Sequence, residues 1–433
     1  ADLLSSESPF STGQPITLRQ ALDLANRQNE RLAIEGENYL QALIDRKRAG
    51  SAFLPTIALT PIYSARQPVP SNSGDGNLAS SSQQNRFLDV PINGRFQLSP
   101  ASDLSRLGRD AKTIDERRGL LLHLQESILL ETARVYYDVL RAERSTDVLE
   151  NSLQVQDARV RDIVGRQQAG LARPLDVAQT EAQAAATRVL LITARSDVRN
   201  GRTILAFLTA APVQESPLVD QFNAPSALPP IDAIQQIAFT SRRDLQASES
   251  ARLAARQNVE VAFGQYYPSV TLNGDLFLYR ESVPDQREWS AFISANVPIF
   301  SAGLIHQDVR EAWSIYRQAA AGQSLLRRQV IEEVAVAFQN LQTNQQRIAE
   351  LQVQLQAAQQ AFNQADQSYA VGLATNLERV AAQEQLLSAQ LQLTSAQFDR
   401  TLSYLSLAFA TGTLRSRLEN PPATTQPANN ARP

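Results

Sequence analysis

Cysteine and methionine are both absent from this chain of 433 residues. Without cysteine there is no disulfide, no thiolate metal site and no thiol nucleophile. Without either sulfur side chain there is no soft-ligand ladder for copper(I) or silver. His123 and His306 stand alone on helical stretches, with no recurring acid or nucleophile beside them, and assemble no active site. A phosphate-cradling glycine loop is also missing, so the chain itself is expected to hydrolyse no nucleotide and to hold no cofactor. Aromatic residues make up only 6 %, which suits thin layers and coiled coils. No run approaches the ~18 consecutive apolar residues of a membrane-crossing helix. That leaves open a membrane barrel, whose strands carry a weaker signal. A net charge of -3 argues against a nucleic-acid surface. Beginning at Ala1-Asp2 without Met, the chain is expected to be a processed mature form or a trimmed one.

What is present is a duplication. Leu54-Pro55-Thr56-Ile57-Ala58-Leu59 returns as Tyr267-Pro268-Ser269-Val270-Thr271-Leu272, and Glu131-Thr132-Ala133 as Glu333-Val334-Ala335. Ala169-Gly170-Leu171-Ala172 returns as Val371-Gly372-Leu373-Ala374, and Leu205-Ala206-Phe207 as Leu407-Ala408-Phe409. The first repeat spans 1–210, with strands expected at about 52–66 and 86–98 and long helices at about 102–168 and 174–210. A Pro-rich connector, 211–232, leads to the second repeat, 233–413. There the strands fall at about 266–281 and 287–300 and the long helices at about 303–371 and 375–411. The tail, 414–433, is expected to be partly disordered.

The strand segments alternate apolar and polar residues. Ile57 and Leu59, Val90 and Ile92, Val270 and Leu272, and Ile293 and Val297 fall on the apolar parity of their four segments. Such strands have one greasy and one wet face. Each run is long enough for the ~9–11 residues of a tilted membrane strand, and a soluble antiparallel sheet packed on helices has the same pattern. The helix register does not preserve parity in the second strand of each repeat, so a one-residue shift or bulge is required there. Four strands close no barrel, since the smallest single-chain membrane barrels have about eight. If these strands span a membrane, the chain oligomerises, and three copies giving twelve strands leave room for water.

No proline interrupts the chain from Ser102 to Gln167, roughly 100 Å if wholly helical. Ile348, Leu351, Leu355, Ala358, Phe362, Ala365 and Tyr369 step by three and four, as a coiled-coil seam does. The other faces are rich in Gln, Ala, Ser and Thr, which fits the wall of a tube or an antiparallel scaffold. Gly170 and Gly372 suit left-handed helix ends, Thr375 or Asn376 a cap, and Pro174 a first helical turn.

This architecture resembles the TolC-type outer-membrane efflux protein family over about 16–413, most specifically in the paired Gly-Leu turns and the Leu-Ala-Phe repeat ends. The resemblance implies a mainly α fold with membrane β strands. A homotrimer would form a 12-stranded β-barrel continuous with a periplasmic α-helical tunnel. Ala169, Gly170, Leu171 and Ala172, with Val371, Gly372, Leu373 and Ala374, would be tips that dock a periplasmic adaptor (membrane fusion) protein serving an inner-membrane pump of RND, ABC or MFS type. Ile57, Leu59, Val90, Ile92, Val270, Leu272, Ile293 and Val297 would face outer-membrane lipid. Asp176 and Glu378, each six residues after its tip glycine, would line the entrance constriction; as helix N-terminal acids they also complement the macrodipole. Ala381 supplies no further carboxylate, and the N-terminal lipidated Cys of many members has no counterpart. The expected function is passive conduction of drugs or solutes to the cell exterior of a Gram-negative bacterium. A type I secretion duct uses the same exit architecture, and a soluble coiled-coil scaffold is the alternative from another class.

Overall fold

The computed structural model describes residues 15–65, 86–220, 222, 224–225, 229–282 and 287–419. β1 (Ile16–Thr17) enters α1 (Leu18–Gln28) through a reciprocal cap. The Thr17 N–H donates to Gln20 Oε1 at 2.9 Å, and Thr17 Oγ1 accepts the Gln20 N–H at 3.4 Å. Asn29, extended at φ -81°, breaks the chain before α2 (Glu30–Ser51). Then come β2 (Thr56–Leu59), β3 (Ile62–Ala65), β4 (Arg86–Leu98), α3 (Pro100–Gln168) and α4 (Pro174–Thr209). A two-residue β5 (Leu218–Val219) precedes the second copy of this order. That copy comprises α5 (Ile231–Ser241), α6 (Arg243–Gly264), β6 (Ser269–Arg280), β7 (Trp289–Asn296), α7 (Leu304–Ala370) and α8 (Asn376–Ala410). The long pairs match closely, at 69 and 36 residues against 67 and 35. None of the described helices is apolar enough over its length to cross a membrane.

Contacts divide the chain into two compact units. One comprises Ala1–Glu35, Leu120–Leu245 and Leu326–Pro433. Its core is built on Tyr136 and Tyr137, both fully buried, with Leu205, Val334, Leu341 and Leu405 around them. Tyr136 Oη lies 2.8 Å from the carbonyl oxygens of Ile16 and Val219 and accepts the Val219 N–H at 3.0 Å. This phenol therefore ties α3 to the parallel pair β1–β5, and burial holds its pKa far above the ordinary range. The connector is thus not featureless, because it supplies β5. At the start of the tail, Leu414–Glu419 form α9, with Leu414 fully buried in the same core. The rest of the tail lies outside the described residues.

The other unit comprises Gly36–Gly119 and Gln246–Leu325 and contains one antiparallel sheet, ordered β2/β3–β4–β6–β7. The first expected strand is shorter and in two pieces. Pro61 has no N–H to give the ladder, yet both pieces keep one register against β4: Leu59 faces Ile92 and Ile62 faces Asp89. The register shift also falls elsewhere than expected. Val90 faces Tyr279 and Pro91 faces Phe277, so the extra residue is Leu278 on β6, the first strand of the second repeat. Pro91, lacking a donor, is where the β4 ladder tolerates that break.

Candidate functional site: strand faces and helix tips

Residues paired across an antiparallel ladder share a face, so the register sorts the sheet. Leu59, Ile92, Leu276 and Trp289 form one row, and Phe96, Leu272 and Ile293 another. Leu98, Val270 and Ala295 continue the same side, which also holds Ile57 beside Gly94 and Val90 beside Tyr279. Seven of the eight residues read from sequence as the greasy face therefore stand together. The eighth, Val297, lies one residue beyond β7, and its alternation continues that of Ile293 and Ala295. Ile57 and Ile293 are about three-quarters exposed, at 73 % and 70 %.

The opposite face is hydrogen-bonded and wet. Asn93 Nδ2 donates to Asp275 Oδ1 at 2.6 Å, Ser290 Oγ donates to Asp275 Oδ2 at 3.3 Å, and Thr60 joins the chain through Asn93. Two edges of the sheet, β2/β3 and β7, have no strand partner among the described residues. Unpaired edges with one greasy face are stable when another strand completes the ladder.

Both helix turns are Schellman motifs. At the first, Gly170 at φ 75° donates to Gln167 O at 2.9 Å and Leu171 N–H to Arg166 O at 2.8 Å. At the second, Gly372 at φ 77° donates to Tyr369 O at 3.1 Å and Leu373 N–H to Ser368 O at 2.8 Å. A side chain at either glycine would be strained by the left-handed backbone. Leu171 and Leu373 project with 79 % and 85 % exposure, and Val371 is exposed beside them, so the tips present apolar side chains to their surroundings.

Asp176 and Glu378 are the third residues of α4 and α8. Each accepts an N-cap N–H, Arg173 N–H to Asp176 Oδ2 at 3.1 Å and Thr375 N–H to Glu378 Oε2 at 2.9 Å. Beyond that they differ. Asp176 is buried and held by the Arg173 guanidinium at 2.9 and 3.1 Å, which keeps its carboxyl below the usual range. Glu378 is exposed.

Sequence reasoning missed what lies just inside the tips. Asn376, 2 % exposed, donates from Nδ2 to Asp176 O and Thr180 Oγ1, both at 3.1 Å, and accepts Arg379 Nη2 at 3.0 Å. Arg379, 5 % exposed, stacks on Tyr369 at 4.0 Å. Arg159 makes a comparable contact over Phe362 at 4.7 Å and pairs with Asp366 at 3.3 Å. Thus Thr-Asn-x-Glu, legible as a cap, also carries the joint between α4 and α8. No cluster of metal-ligating side chains occurs among the described residues.

The fold, with its strand faces and paired tips, is similar to that of outer-membrane efflux channels. Residues 234–413 match the family model described as "Outer membrane efflux protein". Among curated proteins, the Outer membrane protein TolC of Vibrio cholerae is 23 % identical over 375 residues, 84 % of this chain and 83 % of that one. The outer-membrane channel OprN superposes with a TM-score of 0.81 at 21 % identity, covering 95 % of this chain and 96 % of that one. The Campylobacter jejuni CmeC outer membrane channel superposes with a TM-score of 0.80 at 16 % identity, covering 95 % and 91 %.

Proposed function

We propose that this chain is one protomer of a homotrimeric exit duct that passively conducts small solutes from a periplasmic adaptor and inner-membrane pump to the cell exterior. The observation that carries the proposal is the sheet: one greasy face, one wet face and two open edges on a chain that cannot close a barrel alone. Strand direction alternates along β2/β3–β4–β6–β7, so β7 of one copy meets β2 of the next antiparallel. Three copies then make twelve strands, with Ile57, Leu59, Val90, Ile92, Val270, Leu272, Ile293 and Val297 toward lipid and the wet face toward the lumen. Exposed Leu171, Val371 and Leu373 give the tips an apolar surface for a partner's helices. At the entrance, Glu378 supplies the carboxylate available to a passing cation, because Asp176 is already neutralised by Arg173.

The absence of native cysteine makes the test clean. Cysteines placed pairwise on the two edges, one among Thr56–Leu59 and one among Trp289–Asn296, are expected to oxidise into covalent trimers on a non-reducing gel. Only intrachain products or random dimers across the whole set of pairs would refute barrel sharing.

A further inference from the structure

One row on the wet face of the sheet differs from its neighbours. Thr56, Arg95, Asn273 and Phe292 stand opposite one another across β2, β4, β6 and β7. The row on one side contains Asn93, Asp275 and Ser290, already hydrogen-bonded among themselves. Arg95 is exposed, and its Nη2 donates to Gln97 Oε1 at 3.1 Å. No carboxylate among the described residues lies within salt-bridge distance of it. Phe292 is 64 % exposed on a face where every paired neighbour is polar or small. Farther along the same face Phe277 lies beneath the Arg280 guanidinium at 4.1 Å, a pairing made within the chain. Arg95 and Phe292 make no such pair with each other. With strands ~4.8 Å apart and β6 between them, their backbones are separated by roughly 10 Å.

That spacing fits a two-ring aromatic anion lying across β6. Its acid group would meet the Arg95 guanidinium, its ring would cover Phe292, and the Asn273 amide would sit beneath the middle. A guanidinium binds oxyanions through charge-assisted hydrogen bonds. An aromatic ring left in water is stabilised when another apolar surface covers it. We propose that Arg95, Asn273 and Phe292 form a binding row for flat aromatic organic anions on the lumen wall, one row per protomer. The inference rests on the barrel reading above, which turns this face toward the conducted solute.

The test uses the reconstituted protein in a planar bilayer, with 2-naphthalenesulfonate added on the barrel side and methanesulfonate as the non-aromatic control. Naphthalenesulfonate is expected to reduce the wild-type current at concentrations where methanesulfonate does not. Arg95→Gln and Phe292→Ala are each expected to weaken that block roughly tenfold, the loss of one charge-assisted or apolar contact. Arg95→Lys should restore part of it. Equal block in the wild type and both variants, or a conducting wild type that naphthalenesulfonate leaves unblocked, overturns the binding row while leaving the duct standing. A wild type with no conductance overturns the duct reading and this inference with it.

Discussion

Replacing Asn376 by leucine tests whether the buried joint holds the tips. The side chains are nearly isosteric, so packing is conserved while three hydrogen bonds vanish: those to Asp176 O, Thr180 Oγ1 and Arg379 Nη2. Thr180 Oγ1 still donates to Asp176 O at 2.8 Å, so the carbonyl keeps one partner. Arg379 fares worse, since it is buried and its Nε already has no partner. Losing a hydrogen bond to a charged group costs about 1.5–3 kcal/mol, and losing a neutral one about 1 kcal/mol. The joint should therefore weaken by roughly 4 kcal/mol, a factor of about one thousand in its opening equilibrium. The large core around Tyr136 and Tyr137 includes none of these residues, so the loss should stay local. Hydrogen exchange by mass spectrometry should show faster exchange in peptides covering the tip turns and the first turns of α4 and α8. Protection around Tyr136 should be unchanged. Unaltered exchange at the tips would refute the joint.

Four further outcomes follow from the same geometry. Gly412→Ala should lower Tm, because a Cβ there would sit 2.9 Å from the Arg242 backbone; Ala210, the corresponding residue of the first repeat, already has φ 47°, so left-handed strain alone is tolerated. An unchanged Tm would contradict that contact. Glu126→Gln should raise Tm at neutral pH, since burial lifts the Glu126 carboxyl above its unfolded value. The protonated form is favoured by folding, so this group's stabilisation is complete below about pH 4 and is lost as pH rises through the folded value; the Tm advantage should shrink on acidification, and a constant advantage would be contrary. Glu378→Gln should reduce cation preference in single-channel recordings more than Asp176→Asn does, because Arg173 neutralises Asp176; equal effects would reverse that assignment. A bulky or charged residue at Gly372 or Leu373 should abolish export while trimers still assemble, and wild-type export would exclude the tips as a docking surface.

The duplication, the long helices and the tip glycines were legible because each leaves a local signature: repeated strings, proline-free heptads, and Gly at a left-handed helix end. The greasy face was legible from alternation, since Ile57, Ile92, Leu272 and Ile293 keep parity. The bulge was misplaced because it depends on Pro91 meeting Phe277, a pairing 186 residues apart that no single strand displays. The breaks at Asn29 and Arg242 were hidden inside continuous helical periodicity. At Arg242 the cause is tertiary, a buried guanidinium bonded to Asp244, Glu333 and the Ala410 carbonyl. The Arg173–Asp176 lock was readable as a capping spacing, but its consequence for the matched carboxylates was not, because the burial of Asp176 is a tertiary property and its neighbours include Asn376 of the other repeat.

The most direct test of the shared barrel is the protein mass of the purified particle in detergent, by light scattering with the detergent contribution subtracted. A mass of about three chains, with precipitation on detergent withdrawal, is the predicted result, because the face of Ile57, Ile92, Leu272 and Ile293 needs lipid or its substitute. A monomer or dimer soluble without detergent would contradict the account, leaving the sheet as an ordinary layer and the long helices as a scaffold.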